Sequence, residues 1–229
     1  MIELVAFDMA GTTIDDHGLV YEALRRCVEE TGAAVTSSDL QLWMGTDKVE
    51  AITALMALGG IESTTESVAH AFDRFREILA ESYRDRPPVA LPGVEDALRT
   101  LRARGVKVAL TTGFSREVAS ALLDSLGWTI GSHTSDLLDA VVTSSDVPSG
   151  RPAPYLIHHA MERLGVLDVR AVLAAGDTLV DVRAARNAGV IAVGVLTGKL
   201  TREEFEREPH DYVLDSVVDV LALAELRPA

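Results

Sequence analysis

The chain has 229 residues, one cysteine, and a formal net charge of −14 from 35 acidic and 21 basic side chains. This charge argues against a nucleic-acid partner, which needs a basic face, and the lone Cys27 excludes an intrachain disulfide and is typical of a cytoplasmic protein. No apolar run approaches the roughly 18 residues of a membrane span, and the N-terminus leads directly into a predicted strand, so we expect neither a membrane anchor nor a signal peptide.

Strand-like and helical segments alternate over most of the chain. The first predicted strand runs from Leu4 to Phe7. Later strands are predicted at 106–110, 140–142, 171–175 and 190–195, with helices at 94–104, 116–126, 154–164 and 179–187. Such alternation is typical of βαβ units. The sequence therefore predicts an α/β fold with a doubly wound, Rossmann-like parallel sheet covered by helices on both faces.

Residues 15–90 interrupt this alternation. Helices are predicted there at 19–31, 47–58 and 66–83, and no segment is a convincing strand. An insertion of this length is too long for a loop. The sequence predicts a small all-helical cap domain at 15–90, inserted into a core domain formed by 1–14 and 91–229. Asp15-Asp16 and Leu91-Pro92-Gly93 are the expected hinges between them.

The first predicted strand ends at Asp8, which Met9-Ala10-Gly11-Thr12-Thr13 follows. Open α/β sheets bind their ligands at the carboxyl ends of the strands, so Asp8 is placed at the ligand edge. The turn at Gly11 and Thr12 is expected to present backbone N–H groups to an anion. A carboxylate placed in this way can act as a nucleophile and form an aspartyl-phosphate. The alternative is that Asp8 only caps the turn.

Three further motifs follow later strands. Thr112 and Gly113 offer a hydroxyl and N–H groups that suit a phosphoryl oxygen, although helix capping is the simpler interpretation. Arg151 lies in a Pro/Gly-rich turn, where it could clamp an anion or be solvated. Asp177 and Asp181 lie one helical turn apart and repel each other unless a cation lies between them, which predicts a Mg²⁺ site. Capping together with a favourable helix-dipole contact is the alternative for this pair.

Together the motifs supply a nucleophile, a metal site, a hydroxyl donor and a cationic clamp, which is the set that phosphoryl transfer needs. Their order resembles the haloacid dehalogenase-like hydrolases over essentially the whole chain, and in detail the phosphonatase group, which hydrolyses phosphonoacetaldehyde. That group has Asp-Trp-Ala-Gly-Thr-Thr, Thr-Thr-Gly-Tyr-Thr-Arg-Glu, Asp-Val-Pro-Ala-Gly-Arg-Pro, Gly-Asp-Thr-Val-Ser-Asp and Arg-Asn-Ala-Gly. These runs resemble residues 8–13, 111–117, 146–152, 176–181 and 186–189.

Phosphonatases form a Schiff base through the lysine of Met-Gly-x-x-Lys, and this chain has Met44-Gly45-Thr46-Asp47-Lys48. An amine condenses with an aldehyde only when it is neutral, and the positive end of a helix dipole favours the neutral form. The alternative is an ordinary surface lysine. Ala10 stands where related phosphatases have the acid that protonates a leaving alkoxide. A carbon that leaves as an enamine does not require that acid, so Ala10 and Lys48 support the same chemistry.

Two positions depart from the phosphonatase pattern. Ala51 stands where a histidine usually follows the lysine by three residues, and Phe114 stands where the group has the tyrosine of Thr-Gly-Tyr. Both departures concern the aldehyde side of the site. The predicted function is Mg²⁺-dependent hydrolysis of phosphonoacetaldehyde through an Asp8 phosphoenzyme. The alternative on the same scaffold is a phosphatase of a small phosphate monoester, or an enzyme acting on another phosphonate.

The resemblance implies a role for each residue of the site, and a homodimer formed through the caps. The implied catalytic residues are Asp8, Lys48, Thr112 and Arg151; the implied substrate contacts are Gly11, Thr12, Gly113 and Met44; the implied metal ligands are Asp8, the Ala10 carbonyl, Asp177 and Asp181.

Other classes of function fit the sequence less well. Halide displacement has no use for the Asp177 and Asp181 pair. A phospho-acceptor signalling domain needs neither the helical insertion nor Arg151. A binding protein without activity is expected to have lost Asp8 or the Asp177 and Asp181 pair.

Overall fold

The structure is a computed structural model that describes residues 1–226, and it divides into two compact units. The first comprises Met1–Asp15 and the chain from Val89 onward, and the second is Asp16–Pro88. In chain order the elements are β1 (Leu4–Asp8), β2 (Ile14–Asp15), α1 (Leu19–Glu29), α2 (Ser37–Leu42), α3 (Lys48–Leu58), α4 (Thr65–Asp85), β3 (Val89–Ala90), α5 (Val94–Ala103), β4 (Lys107–Thr111), α6 (Arg116–Leu126), β5 (Ala140–Val142), α7 (Tyr155–Leu164), β6 (Val172–Gly176), α8 (Leu179–Ala188), β7 (Ile191–Val195), α9 (Arg202–Glu206) and β8 (Tyr212–Leu214).

A six-stranded parallel sheet forms the centre of the first unit, with strand order β5-β4-β1-β6-β7-β8. The continuous apolar run of β1 is wholly buried, as expected of a parallel strand covered on both faces. From β1 the chain builds outward through β4 and β5, and then returns to add β6 on the other side. This reversal is a topological switch point, where doubly wound sheets bind ligands. The predicted α/β fold is confirmed.

Side chains of β1 alternate between the two faces of the sheet. Leu4 and Ala6 belong to a buried apolar cluster that includes residues of α7 and α8. Among these are Ile157 and Met161 of α7 and Val182 of α8. The amphipathic helices therefore fix the sheet from one side, and β1 is held rigidly in its middle.

Several short elements were not predicted by the sequence. They are α2, α9 and β8, and the two-residue strands β2 and β3, which pair antiparallel. Residues 15–90 are therefore not free of strand structure, because Asp15 pairs with Val89 and Ala90 pairs with Ile14. Segments this short show no apolar periodicity, and tertiary contacts decide their conformation.

The second unit consists of the helices α1 to α4. Its longest helix, α4, begins with a capping box at Thr64 and buries Phe75, Ile78 and Leu79. These pack in a helical core to which α1 contributes Leu24 and α3 contributes residues such as Ile52. The predicted helices of this region are confirmed, with ends displaced by at most two residues. Within the described chain, no helix combines the length and the apolar character that a bilayer span requires.

The two ends of the second unit are held together by hydrogen bonds. The carboxylate of Asp16 accepts the N–H groups of Gly18 and Val20, at 3.1 and 2.9 Å, and so begins α1. His17 Nε2 lies 3.1 Å from the carbonyl oxygen of Pro87, and Arg86 donates to the His17 carbonyl at 3.2 Å. We call these two contacts of His17 with residues 86–87 the terminal clasp of the second unit.

Candidate active site

Asp8 is the last residue of β1, at the switch point of the sheet, and its side chain is buried against Arg151. Arg151 Nη1 lies 2.7 Å from Asp8 Oδ1, and Arg151 Nε lies 2.8 Å from Asp181 Oδ1. Arg151 Nη2 donates to the carbonyl and the hydroxyl of Thr111, at 2.8 and 2.9 Å. The guanidinium fork is thus fixed by groups from β1, β4 and α8. Arg151 is a buried partner of the predicted nucleophile and is not a solvated loop residue.

The pair Asp177 and Asp181 lies at the end of β6 and in the first turn of α8. Asp177 Oδ1 accepts the hydroxyl of Thr12 at 2.9 Å. Asp181 Oδ2 accepts the N–H and the hydroxyl of Thr178, at 3.1 and 2.5 Å, in a capping box, while its Oδ1 pairs with Arg151. Helix capping and a place in the site are therefore both true of Asp181, one through each carboxylate oxygen.

The turn after Asp8 uses its own N–H groups. Gly11 N donates to Ile14 O at 2.8 Å, and Thr12 N donates to Met9 O at 3.3 Å. In this structure the N–H groups of Gly11 and Thr12 are therefore satisfied within the turn. Among the hydrogen bonds of the described residues, none involves the N–H or the carbonyl of Ala10. The N–H and the carbonyl of Ala10 are therefore available to a ligand.

Thr112 follows β4 at the same edge of the sheet. Its N–H donates to the Val142 carbonyl at 3.0 Å, and its Oγ1 accepts the N–H of Phe114 at 3.1 Å. The hydroxyl therefore caps the turn containing Gly113 as an acceptor and retains its own hydrogen for donation. As with Asp181, a capping contact and a ligand contact are compatible in one side chain.

Two glycines limit the space around Asp177, and one of them was missed by the sequence analysis. A Cβ atom at Gly11 would lie 2.5 Å from Asp177 Oδ2, and a Cβ atom at Gly198 would lie 2.7 Å from both Cβ and Cγ of Asp177. Glycine is required at position 11 for two reasons. A side chain would collide with Asp177, and the φ of 88° is unfavourable for other residues. Gly198 follows β7, and its place after a predicted strand was the signal that could have drawn attention to it.

The carboxylates form a cluster that fits a hard divalent cation. Oxygen atoms of Asp8, Asp177 and Asp181 all lie within 4.8 Å of one another. Burial raises the pKa of Asp8 to about 6, with Asp181 adding to the rise and Arg151 opposing it. Burial also raises the pKa of Asp177, as do the charges of Asp8 and Asp181. Three carboxylates against one guanidinium leave excess negative charge, and an all-oxygen donor set is the kind that Mg²⁺ prefers.

Lys48 and Met44 lie in the second unit, whereas the cluster around Asp8 belongs to the first. Lys48 is the first residue of α3, is only 4% exposed, and donates from Nζ to the Thr46 carbonyl at 2.8 Å. Its Nζ also lies 6.0 Å from the centre of the Tyr21 ring. Asp47 caps α3 by accepting the N–H groups at positions 49 and 50. Lys48 is therefore a buried lysine at a helix N-terminus and not an ordinary surface residue.

Comparison with known proteins identifies the class of protein that this fold and site define. A sequence model of the haloacid dehalogenase-like hydrolases matches residues 2–189. The chain belongs to the haloacid dehalogenase-like hydrolase family, and the protein is a hydrolase. Within the family it is similar to the phosphonoacetaldehyde hydrolase of Bacillus cereus, with 33% identity over 90% of this chain and 81% of the relative.

Solved structures show the same relationship. A phosphonoacetaldehyde hydrolase-like protein from Oleispira antarctica is 26% identical, with a TM-score of 0.77 over 96% of this chain and 90% of that one. A hydrolase from Pseudomonas syringae shares the fold, with a TM-score of 0.84 at 23% identity over 96% of both chains. The phosphonatase-like group proposed from the motifs is thus confirmed as the group that this chain resembles.

Asp146 anchors the loop that carries Arg151. Its buried carboxylate accepts the N–H and hydroxyl of Thr143, at 2.8 and 2.7 Å, and pairs with Arg116 and Arg163 at 2.5 and 2.8 Å. Burial raises its pKa, but these hydrogen bonds and charges outweigh burial and hold the pKa at about 2. The loop is therefore tied to the beginning of α6 and to α7.

We predict that Asp146→Asn lowers the free energy of unfolding by about 2 kcal/mol at pH 7, since each pKa unit corresponds to about 1.4 kcal/mol. The pKa of Asp146 is lower in the folded chain than its ordinary 3.8, so its contribution is complete above about pH 4 and is lost as the pH falls towards 2. Urea unfolding of both proteins at pH 7, 5 and 3.5 measures the difference. A difference that grows on acidification would contradict the assignment.

Proposed function

We propose that the protein is a Mg²⁺-dependent phosphohydrolase that forms an aspartyl-phosphate on Asp8, and that its substrate is phosphonoacetaldehyde. The observation that carries the proposal is the buried cluster at the switch point, in which Arg151 lies 2.7 Å from the Asp8 carboxylate beside Asp177 and Asp181. Similarity to phosphonoacetaldehyde hydrolases supports the choice of substrate.

In this proposal Asp8, the Ala10 carbonyl and Asp177 hold the Mg²⁺ ion, and Asp181 supports them. The bound ion would shield the carboxylates from the phosphoryl charge and polarise a phosphoryl oxygen. The acceptor capacity of the Ala10 carbonyl and the excess charge of the cluster both support this assignment.

The residues of the first unit carry out the phosphoryl steps. A carboxylate oxygen of Asp8 attacks phosphorus, and a water molecule later hydrolyses the aspartyl-phosphate to inorganic phosphate. Arg151 holds a fixed charge against the phosphoryl oxygens and orients Asp8 at the same time. The hydroxyl of Thr112 donates a hydrogen bond to the phosphoryl group. Gly113 and the Ala10 N–H line the same carboxyl edge of the sheet.

Lys48 carries out the carbon side of the reaction, with Met44 contacting the substrate. Its neutral amine condenses with the aldehyde, releases water and forms a protonated imine. When Asp8 attacks phosphorus, the C–P bond breaks and its electron pair neutralises the iminium as an enamine. Protonation of the enamine carbon and hydrolysis of the imine then release acetaldehyde and regenerate Lys48. The Ala10 position needs no acid, because no alkoxide leaves.

The second unit, in this proposal, is a cap domain corresponding to the predicted 15–90. It closes over the carboxyl edge of the sheet, brings Lys48 towards Asp8 and excludes water from the imine. The linkers around Asp15-Asp16 and Leu91-Pro92-Gly93 are the proposed hinges. We also propose a cytoplasmic location, which the single buried Cys27 supports.

The alternative function is hydrolysis of a small phosphate monoester or of another phosphonate. The observation that favours it is the absence of a histidine at Ala51, which is fully buried in the second unit, together with Phe114 in place of tyrosine. In that case Lys48 would be an electrostatic contact to the substrate, and the Asp8 chemistry would be unchanged.

We further propose a homodimer formed through the second unit, as the phosphonatase resemblance implies. Helix α3 is apolar around much of its circumference, and Val49 and Leu58 remain 43% and 58% exposed. A second copy that covers the C-terminal end of α3 would bury Leu58. Leu58→Glu is then expected to yield monomers in size-exclusion chromatography with light scattering. Leu167→Glu, at a 94% exposed site of the first unit, is the control that should leave the assembly unchanged.

Asp8→Asn is predicted to lower phosphate release by at least roughly a thousandfold, because the amide keeps the shape but not the attacking charge. Phosphate release from phosphonoacetaldehyde measures the effect, with circular dichroism to verify folding. Asp96→Asn, on the exposed surface of α5, is the matched control and should keep wild-type activity. A variant at position 8 with a tenth of wild-type activity would exclude Asp8 as the nucleophile.

Activity is predicted to disappear after exhaustive chelation and to return on addition of Mg²⁺, because the clustered carboxylates need a cation to accept an anionic substrate. The measurement is phosphate release before dialysis against a chelator, after it, and after addition of Mg²⁺ or Zn²⁺. Full activity of the chelated protein would exclude the metal assignment.

Borohydride reduction in the presence of phosphonoacetaldehyde is predicted to trap the substrate carbons on Lys48. Mass mapping should find the adduct on the peptide containing Lys48, and Lys48→Arg should lose both the adduct and C–P cleavage. Lys107→Arg, in the first unit, is the control lysine and should keep both. Absence of an adduct, with rapid hydrolysis of phosphate esters, would favour the phosphatase alternative.

A further inference from the structure

The turn formed by Thr197 and Gly198 takes no part in the proposed phosphoryl or imine steps. It follows β7, beyond residues 2–189 that the family model matches, and no sequence motif pointed to it. Because β7 runs parallel to β6 with Gly194 opposite Gly176, the turn leaves the sheet at the edge where Asp177 lies. Its position therefore places it beside a proposed metal ligand.

Asp177 is enclosed between Gly11 and Gly198. A Cβ atom added at either glycine would overlap Asp177 Oδ2, and at Gly198 it would also lie 2.7 Å from Asp177 Cβ and Cγ. The backbone at Gly198 lies outside the left-handed region, so an alanine there is compatible with the local conformation. The space that Asp177 occupies, and not the backbone angle, excludes a side chain at position 198.

Thr197 links the two sides of this enclosure. Its hydroxyl donates to the carbonyl oxygen of Gly11 at 2.6 Å, and so connects the turn after β7 to the turn after Asp8. On the remaining side, Thr12 donates its hydroxyl to Asp177 Oδ1 at 2.9 Å. The Asp177 carboxylate is thus confined by contacts from three directions, two of which depend on the 197–198 turn.

We propose that Thr197 and Gly198 are positioning residues that hold the Asp177 carboxylate in the orientation needed to bind the divalent cation. The inference rests on the proposed metal site and adds to it a turn that touches neither substrate nor reacting atoms. Groups that orient metal ligands typically contribute about 10- to 100-fold to metal affinity. Gly198 acts by providing space, and Thr197 acts by fixing the distance between the two turns.

The test is calorimetric titration of the substrate-free protein with Mg²⁺ alone, for the wild type and four variants. Gly198→Ala and Thr197→Val should each raise the Mg²⁺ dissociation constant at least about tenfold. Thr197→Ser keeps the hydroxyl and should remain within about twofold of the wild type. Gly194→Ala is the matched control within β7, where a Cβ would lie 2.7 Å from Phe205 Cδ1. It should lower the melting temperature and leave Mg²⁺ affinity unchanged.

The outcomes separate this inference from the proposed function. If the wild type binds Mg²⁺ and both Gly198→Ala and Thr197→Val bind it equally well, the positioning role is wrong and the metal site stands. If the wild type binds no Mg²⁺, the proposed metal site fails and the inference fails with it. If Gly198→Ala does not fold, the comparison of Thr197→Val with Thr197→Ser decides, because both variants keep the glycine. Equal affinities in that pair would overturn the role of the turn.

Discussion

The ion pairs of Arg151 with Asp8 and Asp181 are the contacts on which the rest of the site depends. Burying three carboxylates is costly unless an opposite charge and hydrogen bonds satisfy them, and removing that partner alone would leave uncompensated buried charge. The planar guanidinium reaches Asp8, Asp181 and Thr111 at once, which the single point charge of lysine could not do. One side chain from a loop therefore aligns the ends of β1 and β4 with the start of α8.

The same cluster opposes folding. Burial raises the pKa of Asp8 from 3.8 to about 6, so the folded chain binds this proton more tightly than the unfolded chain does. The free-energy cost of burying the ionised Asp8 carboxylate therefore grows as the pH rises from about 4 to about 6, and it is complete above that range. A cation that binds only the folded chain would recover stability by mass action. The rigid, fully buried β1 provides the frame that tolerates this charge.

The sequence predicted the architecture well because its signals were long and periodic. The strands around β1 and the helices from α5 to α8 combine apolar runs with clear ends. Asp8 and Asp177 lie at strand ends, and Asp181 lies one helical turn after Asp177. It did not predict the β2–β3 pair, whose two-residue strands have no period, nor the internal hydrogen bonds of the Gly11 turn. Arg151 and Gly198 show what the sequence could not reveal. Arg151 is buried against Asp8, and Gly198 packs against Asp177, through contacts between residues far apart in the chain.

The terminal clasp gives the insertion a modular character. His17 and Pro87 are held 3.1 Å apart by their hydrogen bond, and just outside them Asp15 pairs with Val89. Each unit thus holds its own two chain ends close together. The loop-closure entropy that the folded sheet must offset is therefore small, whatever segment joins positions 16 and 88. Segments with adjacent termini are the ones that proteins exchange and that engineers can replace. The site on the sheet can therefore be inherited intact while the inserted helices evolve separately.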